Sequence, residues 1–95
     1  MVVVIRRLIW KPKNVKHIAR HGVSLNEVEE VTRRFNVPKS APQKRLILIG
    51  ETDAGRILEL VLVPKGKGRY YPLTAYDASP AMAAMYKRRK GVKER

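Results

Sequence analysis

The sequence of 95 residues contains no cysteine. The chain can therefore form neither a disulfide framework nor a thiolate metal site, and we expect a protein of a reducing compartment, the cytoplasm. No apolar run approaches the roughly 20 residues that cross a bilayer. The apolar start at residues 1–5 is short, and Arg6 and Arg7 follow it at once. This pattern predicts a strand rather than a signal peptide, and we expect no membrane partner.

Acidic residues are scarce. The chain has 8 Asp+Glu against 21 Lys+Arg, a formal net charge of +13, and no acid precedes Glu27. A field of this sign and size attracts polyanions and speeds the encounter with them. The obvious partner is the phosphate backbone of a nucleic acid, and an acidic protein is the next candidate.

Length and apolar content indicate one small folded domain. Hydrophobic residues make up 44% of the chain, which is too many for a disordered basic segment. A chain of this size buries one modest core. We predict a single domain over residues 1–90, followed by a basic tail over residues 91–95.

The hydrophobic periodicity predicts an α+β fold, with helices packed on a small antiparallel sheet. The first helix should turn Val15, Ile18 and Ala19 inward, and Ser24 and Glu27 have the spacing of a capping box at the start of the second. The loop 36–43 contains two prolines. The expected order is a strand at 2–10, helices at 13–21 and 25–35, strands at 46–49, 57–63 and 69–75, and a helix from Ser79-Pro80 onward.

The strand at 57–63 is more apolar than a sheet with one wet face requires, since only Glu59 in it is polar. Leu58, Leu60 and Leu62 can face the core, and Ile57, Val61 and Val63 then emerge on the opposite face. Either a helix covers that second face or a second chain does, so a homo-oligomer is one alternative.

Two histidines are the first candidates for chemistry. Metal-independent RNA cleavage needs a base for the 2′-hydroxyl, an acid for the leaving oxygen, and a cation to offset charge on the phosphorane. His17 and His21 stand four residues apart, on one face of the first helix. The structural alternative is that both only pack or cap. The same spacing suits two zinc ligands, but Glu27, Glu30 or Asp77 would have to complete the site, and we expect no metal or other cofactor.

Arginines and tyrosines supply the remaining candidates. Arg56 and Arg69 stand beside predicted hairpin turns, where a rigid sheet can hold a guanidinium against a phosphate; the alternative is that each is a solvated strand end. Strand alternation places Tyr70 and Tyr76 on one face and Tyr71 on the other, as stacking platforms for RNA or as core. The further RNA-binding candidates are Arg45, Lys65, Lys67, Tyr70, Lys87 and Arg88.

The order of these motifs resembles BrnT-type toxins over nearly the whole chain. The resemblance is carried by Trp10, Lys13 and Asn14, by His17-Ile-Ala-Arg-His21-Gly22-Val23-Ser24, by Glu27-Val-Glu-Glu30, by Ile47 to Arg56, and by Gly68-Arg-Tyr-Tyr71 through Tyr86-Lys-Arg-Arg89. It implies a RelE-like ribonuclease fold and an RNA-cutting toxin. It also implies a cognate antitoxin that binds and silences the toxin, and that usually carries a DNA-binding domain.

This chain departs from that family at two positions. Tyr76 stands where the family commonly has a plausible phosphate-gripping arginine, and His17 stands where many members have asparagine. Our first hypothesis is a BrnT-like ribonuclease toxin with His17, His21, Arg56, Arg69 and Tyr76 as its catalytic group. The alternative is a non-catalytic nucleic-acid-binding protein of the same fold, and a third reading is a structural partner of an acidic protein.

Overall fold

The computed structural model describes residues 3–93 and confirms the α+β class. Three helices and five strands form in the described range, with one short 3₁₀ turn at Pro42–Lys44. The strands are β1 (Arg7–Leu8), β2 (Asn36–Ala41), β3 (Arg45–Glu51), β4 (Ile57–Gly66) and β5 (Arg69–Asp77). The helices are α1 (Pro12–Ala19), α2 (Leu25–Arg33) and α3 (Pro80–Lys93).

The strands form one sheet in the order β1-β5-β4-β3-β2. The three pairs from β2 to β5 are antiparallel, but β1 runs parallel to β5. The expectation of a wholly antiparallel sheet is therefore wrong at β1. A parallel pair needs a long crossover, and the chain between β1 and β5 supplies one. The predicted strand at 2–10 is also shorter than expected, and Val2 lies outside the described residues.

The segment predicted as the loop 36–43 is mostly a strand. Every residue of β2 pairs with β3, from Asn36 opposite Gly50 to Ala41 opposite Arg45. The prediction failed because Pro38 breaks most strands. At the outer edge of a sheet its missing N–H can face away from the neighbouring strand, and the strand tolerates it.

One face of the sheet packs against α1 and α2. Leu58, Leu60 and Leu62 are fully buried there, as predicted, together with Ile18 of α1. Ala19, expected inward, is exposed instead. The buried partner of Ile18 on α1 is Asn14, a polar residue that apolar periodicity cannot find.

The opposite face is covered in part by α3. Tyr86 of α3 is buried against Ile49, and Ile57 packs against the same cluster. A helix thus covers the end of the second face that carries Ile57. Val61 and Val63 stay half-buried, and neither is among the described residues that pack against the two core clusters. Cover by a second chain stays a prediction for that part of the sheet.

A β-bulge at Leu73 reverses the alternation of β5. Leu62 pairs with Pro72, but the preceding residue, Val61, pairs with Thr74. The extra residue shifts every later side chain to the opposite face. Tyr71 opposite Val63 and Tyr76 opposite Glu59 therefore share one face, and Tyr70 lies on the other. The predicted pairing of Tyr70 with Tyr76 is wrong for this reason.

Helix α3 continues through Lys93, into the segment 91–95 that we expected as a basic tail. Glu94 and Arg95 lie outside the described residues. Of the helices in residues 3–93, none combines the length and the apolar character that a membrane span requires.

Candidate nucleic-acid interface

A basic stripe on α1 faces a cavity beside β5. Lys13, Lys16, His17 and Arg20 recur at the spacing that places side chains on one side of a helix. The cavity has a volume of about 550 Å³. We call it the α1 cleft, and its walls are formed by Lys13, Asn14, Lys16, His17, Arg20, Tyr71, Leu73 and Thr74.

Asn14 holds α1 at this position. Its side-chain amide donates to the carbonyl oxygen of Ile9 at 3.0 Å and to that of Pro72 at 3.1 Å, while its Oδ1 accepts from the Lys11 amide at 2.8 Å. Asn14 is buried, with an exposed fraction of 2%. Because a buried amide that lost these partners would be costly, α1 is fixed against the bulged part of β5.

The two histidines lie next to each other, as their spacing predicted. Their ring centroids are 5.6 Å apart, with an angle of 65° between the ring planes. His17 is half-buried in the cleft wall and His21 is exposed. The His21 ring also meets Tyr76 at 6.0 Å, edge to face. The His21 ring is therefore in contact with both His17 and Tyr76.

Tyr76 is oriented by an acid from the neighbouring strand. Its hydroxyl donates to Glu59 Oε2 at 3.0 Å. Burial raises the pKa of Tyr76, and the adjacent Glu59 carboxylate raises it further. The phenol consequently stays protonated at neutral pH. It can stack on a base or hold its hydrogen bond, but it supplies no positive charge.

Arg56 is bound by the protein itself. Its Nε donates to Asp77 Oδ1 at 2.7 Å, and its Nη1 donates to the Gly22 carbonyl at 2.7 Å and to both oxygens of Glu27 at 3.2 Å. The hydrogen bond to Asp77 is the main reason why the pKa of Arg56 is raised, and burial opposes it. Because two carboxylates already neutralise its charge, this guanidinium is poorly suited to bind a phosphate.

The acids that a metal site would need are also engaged. Glu27 forms the predicted capping box with Ser24, and it contacts Arg56 as well. Burial by itself would raise the pKa of Glu27, but the hydrogen bonds from Ser24 and Arg56 lower it overall. Glu30 accepts a hydrogen bond from the amide of Asp53. Within residues 3–93 no three side chains of metal-ligating type converge.

Arg69 is not among the residues that line the α1 cleft with His17, although Tyr71, two positions later in β5, is. Tyr76, which meets His21, lies seven positions after Arg69 in β5, about 23 Å at the usual rise of a strand. The Arg69 guanidinium donates to the carbonyls of Lys65 and Gly66 in the β4–β5 turn. The sequence predicted correctly that Arg69 stands beside a hairpin turn. It could not predict which residues of β5 lie next to α1.

The other RNA-binding candidates lie in three places. Arg45 and Tyr70 line a separate hollow, and Lys65 and Lys67 are exposed near the β4–β5 turn. Lys87 and Arg88 are on α3, where Lys87 shares a hollow with Glu51. None of the six lines the α1 cleft.

Sequence reasoning missed four residues of this interface. Lys13, Lys16 and Arg20 share a helical stripe with His17, and the spacing alone could have identified them. Glu59 stood out as the one polar residue in an apolar strand, but its partner Tyr76 depends on strand register.

No family model, curated protein or solved structure matches this chain. The resemblance to BrnT-type toxins therefore stays a prediction, and the function is proposed from the α1 cleft.

Proposed function

We propose that the protein is an RNA-binding ribonuclease of the BrnT type, with a RelE-like fold, which cleaves single-stranded RNA at the α1 cleft. One observation carries the proposal: the His17 imidazole lines a cavity together with Lys13, Lys16 and Arg20, and the His21 imidazole lies 5.6 Å from that of His17. Metal-independent RNA cleavage requires a general base, a general acid and a cation, and two histidines beside three cations can supply them.

The chemistry is an in-line transesterification. One imidazole removes the proton from the ribose 2′-hydroxyl, and the 2′-oxygen forms a bond to phosphorus. The bond from phosphorus to the 5′-oxygen breaks, and the second imidazole, starting as imidazolium, gives its proton to that oxygen. The products are a 2′,3′-cyclic phosphate and a free 5′-hydroxyl. His17 and His21 are the acid and the base.

The cations of α1 replace the arginines predicted for charge stabilisation. Lys13, Lys16 and Arg20 line the same cavity as His17, and none of them forms an ion pair with an acid of the described chain. They are therefore available to offset the charge that develops on the phosphorane. Arg56 acts as a positioning residue, because its hydrogen bond to the Gly22 carbonyl fixes the backbone next to His21.

Aromatic side chains on the β5 face favour single-stranded RNA over a duplex. Tyr71 lines the cleft and Tyr76 meets His21, so both rings stand where unpaired bases would lie. Stacking on such rings is tolerant of sequence and needs bases that are not already paired. By the resemblance to BrnT-type toxins, a cognate antitoxin would silence this activity.

A second candidate function is RNA binding without cleavage. The observation that favours it is the state of the two predicted catalytic arginines: Arg56 is paired with Glu27 and Asp77, and Arg69 lies at the far end of β5. If the α1 cations do not stabilise the phosphorane, the cleft still binds RNA by charge and stacking.

The test compares the purified protein with His17→Gln and His21→Gln on a long RNA, with and without EDTA. We expect the wild-type chain to cleave in EDTA and to leave cyclic phosphate ends. Each variant should lose about a hundredfold or more in rate, as for loss of one acid or base, while keeping its RNA affinity. Lys87→Gln, on α3, serves as the matched surface control and should cleave normally.

Three results separate the alternatives. Salt-dependent RNA binding by the wild-type chain without cleavage would establish the second candidate. Equal cleavage by both histidine variants would exclude the mechanism. No RNA binding at low salt would exclude both functions.

A further inference from the structure

A second concentration of positive charge lies at the end of the sheet opposite the acids. Arg7 is paired with Arg69 in register, and Arg45 begins β3 opposite the last residue of β2. Glu51 and Asp77 lie at the other end of their strands. We call this region the basic end, and it comprises Arg6, Arg7, Lys44, Arg45, Lys65, Lys67 and Arg69.

These cations have no carboxylate partner within residues 3–93. The ion pairs of the described chain use Arg34, Arg56 and Lys90 instead. Glu29 shares a hollow with Arg6 and Arg7, but its carboxylate accepts a hydrogen bond from the Trp10 indole at 2.9 Å. Like charges in register repel each other, so an anion bound here would relieve a standing repulsion.

The backbone of the basic end is built to hold these cations in place. The Arg69 guanidinium donates to the Lys65 carbonyl at 3.0 Å and to the Gly66 carbonyl at 3.2 Å, which aims it along the β4–β5 turn. The Arg6 side chain lies against Gly68, where an added Cβ would come within 2.7 Å of its Cγ. The turn therefore admits Arg6 only because residue 68 is glycine, with a φ of +77°.

Two lysines of the basic end adopt backbone angles that L-residues rarely take. Lys44 and Lys67 both have a φ of 57°. At Lys67 the two-residue turn between β4 and β5 requires this angle, since Gly68 also has a positive φ, and the turn thereby holds the Lys67 backbone in place. Lys44 also lines a hollow of about 320 Å³ together with Arg45 and Tyr70, so an aromatic ring accompanies the charge.

Strand β5 connects the basic end to the α1 cleft. Arg69 begins the strand, Tyr71 already lines the cleft, and Tyr76 meets His21. The strand covers about 23 Å from Arg69 to Tyr76. A nucleic acid strand with its bases stacked advances about 3.4 Å per nucleotide, so about seven nucleotides span this length.

We propose that the RNA strand bound in the α1 cleft continues along β5 and places its phosphates on the basic end. The proposal rests on the proposed function and adds a length requirement to it. Single-stranded RNA of about seven nucleotides or more reaches from Tyr76, beside His21, to Arg69, whereas about four nucleotides placed at His21 and Tyr76 do not reach Arg69. Lys65, Lys67 and Arg69 then contribute to affinity for long RNA without entering the chemical step.

The test measures the affinity for a long and a short oligoribonucleotide, about twelve and about four nucleotides, as a function of salt. The test variant is Lys65→Gln/Lys67→Gln/Arg69→Gln. Its matched control, Lys87→Gln/Arg88→Gln/Arg89→Gln, removes the same charge from exposed positions of α3. Lys65→Gln/Lys67→Gln is included because it keeps the Arg69 hydrogen bonds that hold the turn.

We expect the triple variant to lose about tenfold or more in affinity for the long RNA, and the log–log salt slope to decrease by about 2. The double variant should show a smaller loss in the same direction, and neither should change affinity for the short RNA. Equal losses in the α3 control, or equal losses on short and long RNA, would overturn the proposal while leaving the ribonuclease intact. A wild-type chain that binds no RNA would defeat the proposed function as well.

Discussion

Arg56 donates from Nε to Asp77 Oδ1 at 2.7 Å, which joins the turn before β4 to the last residue of β5. The same guanidinium reaches Gly22 and Glu27 at the start of α2. Arg56, beside a hairpin turn, therefore links the sheet to α2 and to the segment between α1 and α2. Its position next to His21 makes it a support of the proposed site rather than a ligand of RNA.

We expect Arg56→Gln to lower stability and to leave RNA affinity nearly unchanged. Hydrogen bonds to charged groups contribute about 1.5–3 kcal/mol, and Glu27 would lose its cation. Asp77→Asn should have a smaller effect, because the Asp77 side chain is 68% exposed and water screens the pair. Urea unfolding of both single variants and the double variant gives the coupling energy, and filter binding gives the affinity. A loss of affinity at unchanged stability would show that Arg56 does contact RNA.

The contacts of Arg56 could not be predicted from the sequence, although other features of the fold could. The α+β class, the capping box of Ser24 and Glu27, and the closeness of His17 to His21 all follow from short-range spacing. The partner of Arg56 does not, because Asp77 lies 21 positions along the chain. A contact of this kind depends on the register between strands, which no local pattern encodes.

The contact of Glu51 with α3 should make stability fall at low pH. Its Oε1 lies 2.9 Å from Lys90 Nζ and 3.3 Å from the Tyr86 hydroxyl. The hydrogen bond from Lys90 lowers the pKa of Glu51, against the opposing effect of burial. A glutamate in the unfolded chain titrates at about 4.3, so the contribution is complete above that pH and is lost as pH falls through the lower folded value.

Thermal unfolding of the wild-type chain and Glu51→Gln between about pH 7 and pH 3 tests this. The variant should be less stable near neutral pH, and the difference between the two proteins should shrink as the pH falls. Glu27 and Asp77, whose pKa values are also lowered, titrate in both proteins and cancel in the comparison. A difference that stays constant with pH would contradict the linkage.

Substitution by alanine should change the stability of the protein in opposite directions at two glycines. A Cβ on Gly50 would come within 2.8 Å of Val31 Cγ1 and 3.1 Å of Asn36 Cβ, under α2. Gly50→Ala should therefore destabilise the protein by about 1–3 kcal/mol through overpacking. Gly91 lies in α3 with nothing within 4 Å of the added atom. Gly91→Ala should stabilise by about 0.5–1 kcal/mol, because glycine disfavours a helix interior.

Melting temperatures of the two glycine variants provide the measurement, since 1 kcal/mol corresponds to about 4–8 °C in a domain of this size. Equal shifts in the same direction would mean that α2 does not pack against β3 at Gly50.

The bulge at Leu73 is the feature that sequence alternation could least predict. Strict alternation pairs Tyr70 with Tyr76, whereas the extra residue moves Tyr71 to the face of Tyr76. The residues of the segment 69–77 do not predict the bulge. Proline occurs both at bulges and in regular edge strands, so Pro72 does not distinguish the two. β5 becomes partly edge-like only because β1 ends at Leu8 and leaves the rest of its outer side to α1.

Tyr71 and Tyr70 should therefore differ in what their loss affects. Tyr71 lines the α1 cleft, so Tyr71→Ala should weaken binding of RNA by about 1–3 kcal/mol, the contribution of one stacked base. Tyr70 packs against the core cluster beneath α1 and α2, so Tyr70→Ala should chiefly lower the melting temperature. Tyr71→Phe keeps the ring and should bind nearly as the wild type does. The RNA is short enough to occupy the cleft alone, which leaves the hollow beside Tyr70 out of the comparison. If Tyr70→Ala weakens this binding more than Tyr71→Ala does, the face assignment made by the bulge is wrong, and the stacking surface lies on the other side of β5.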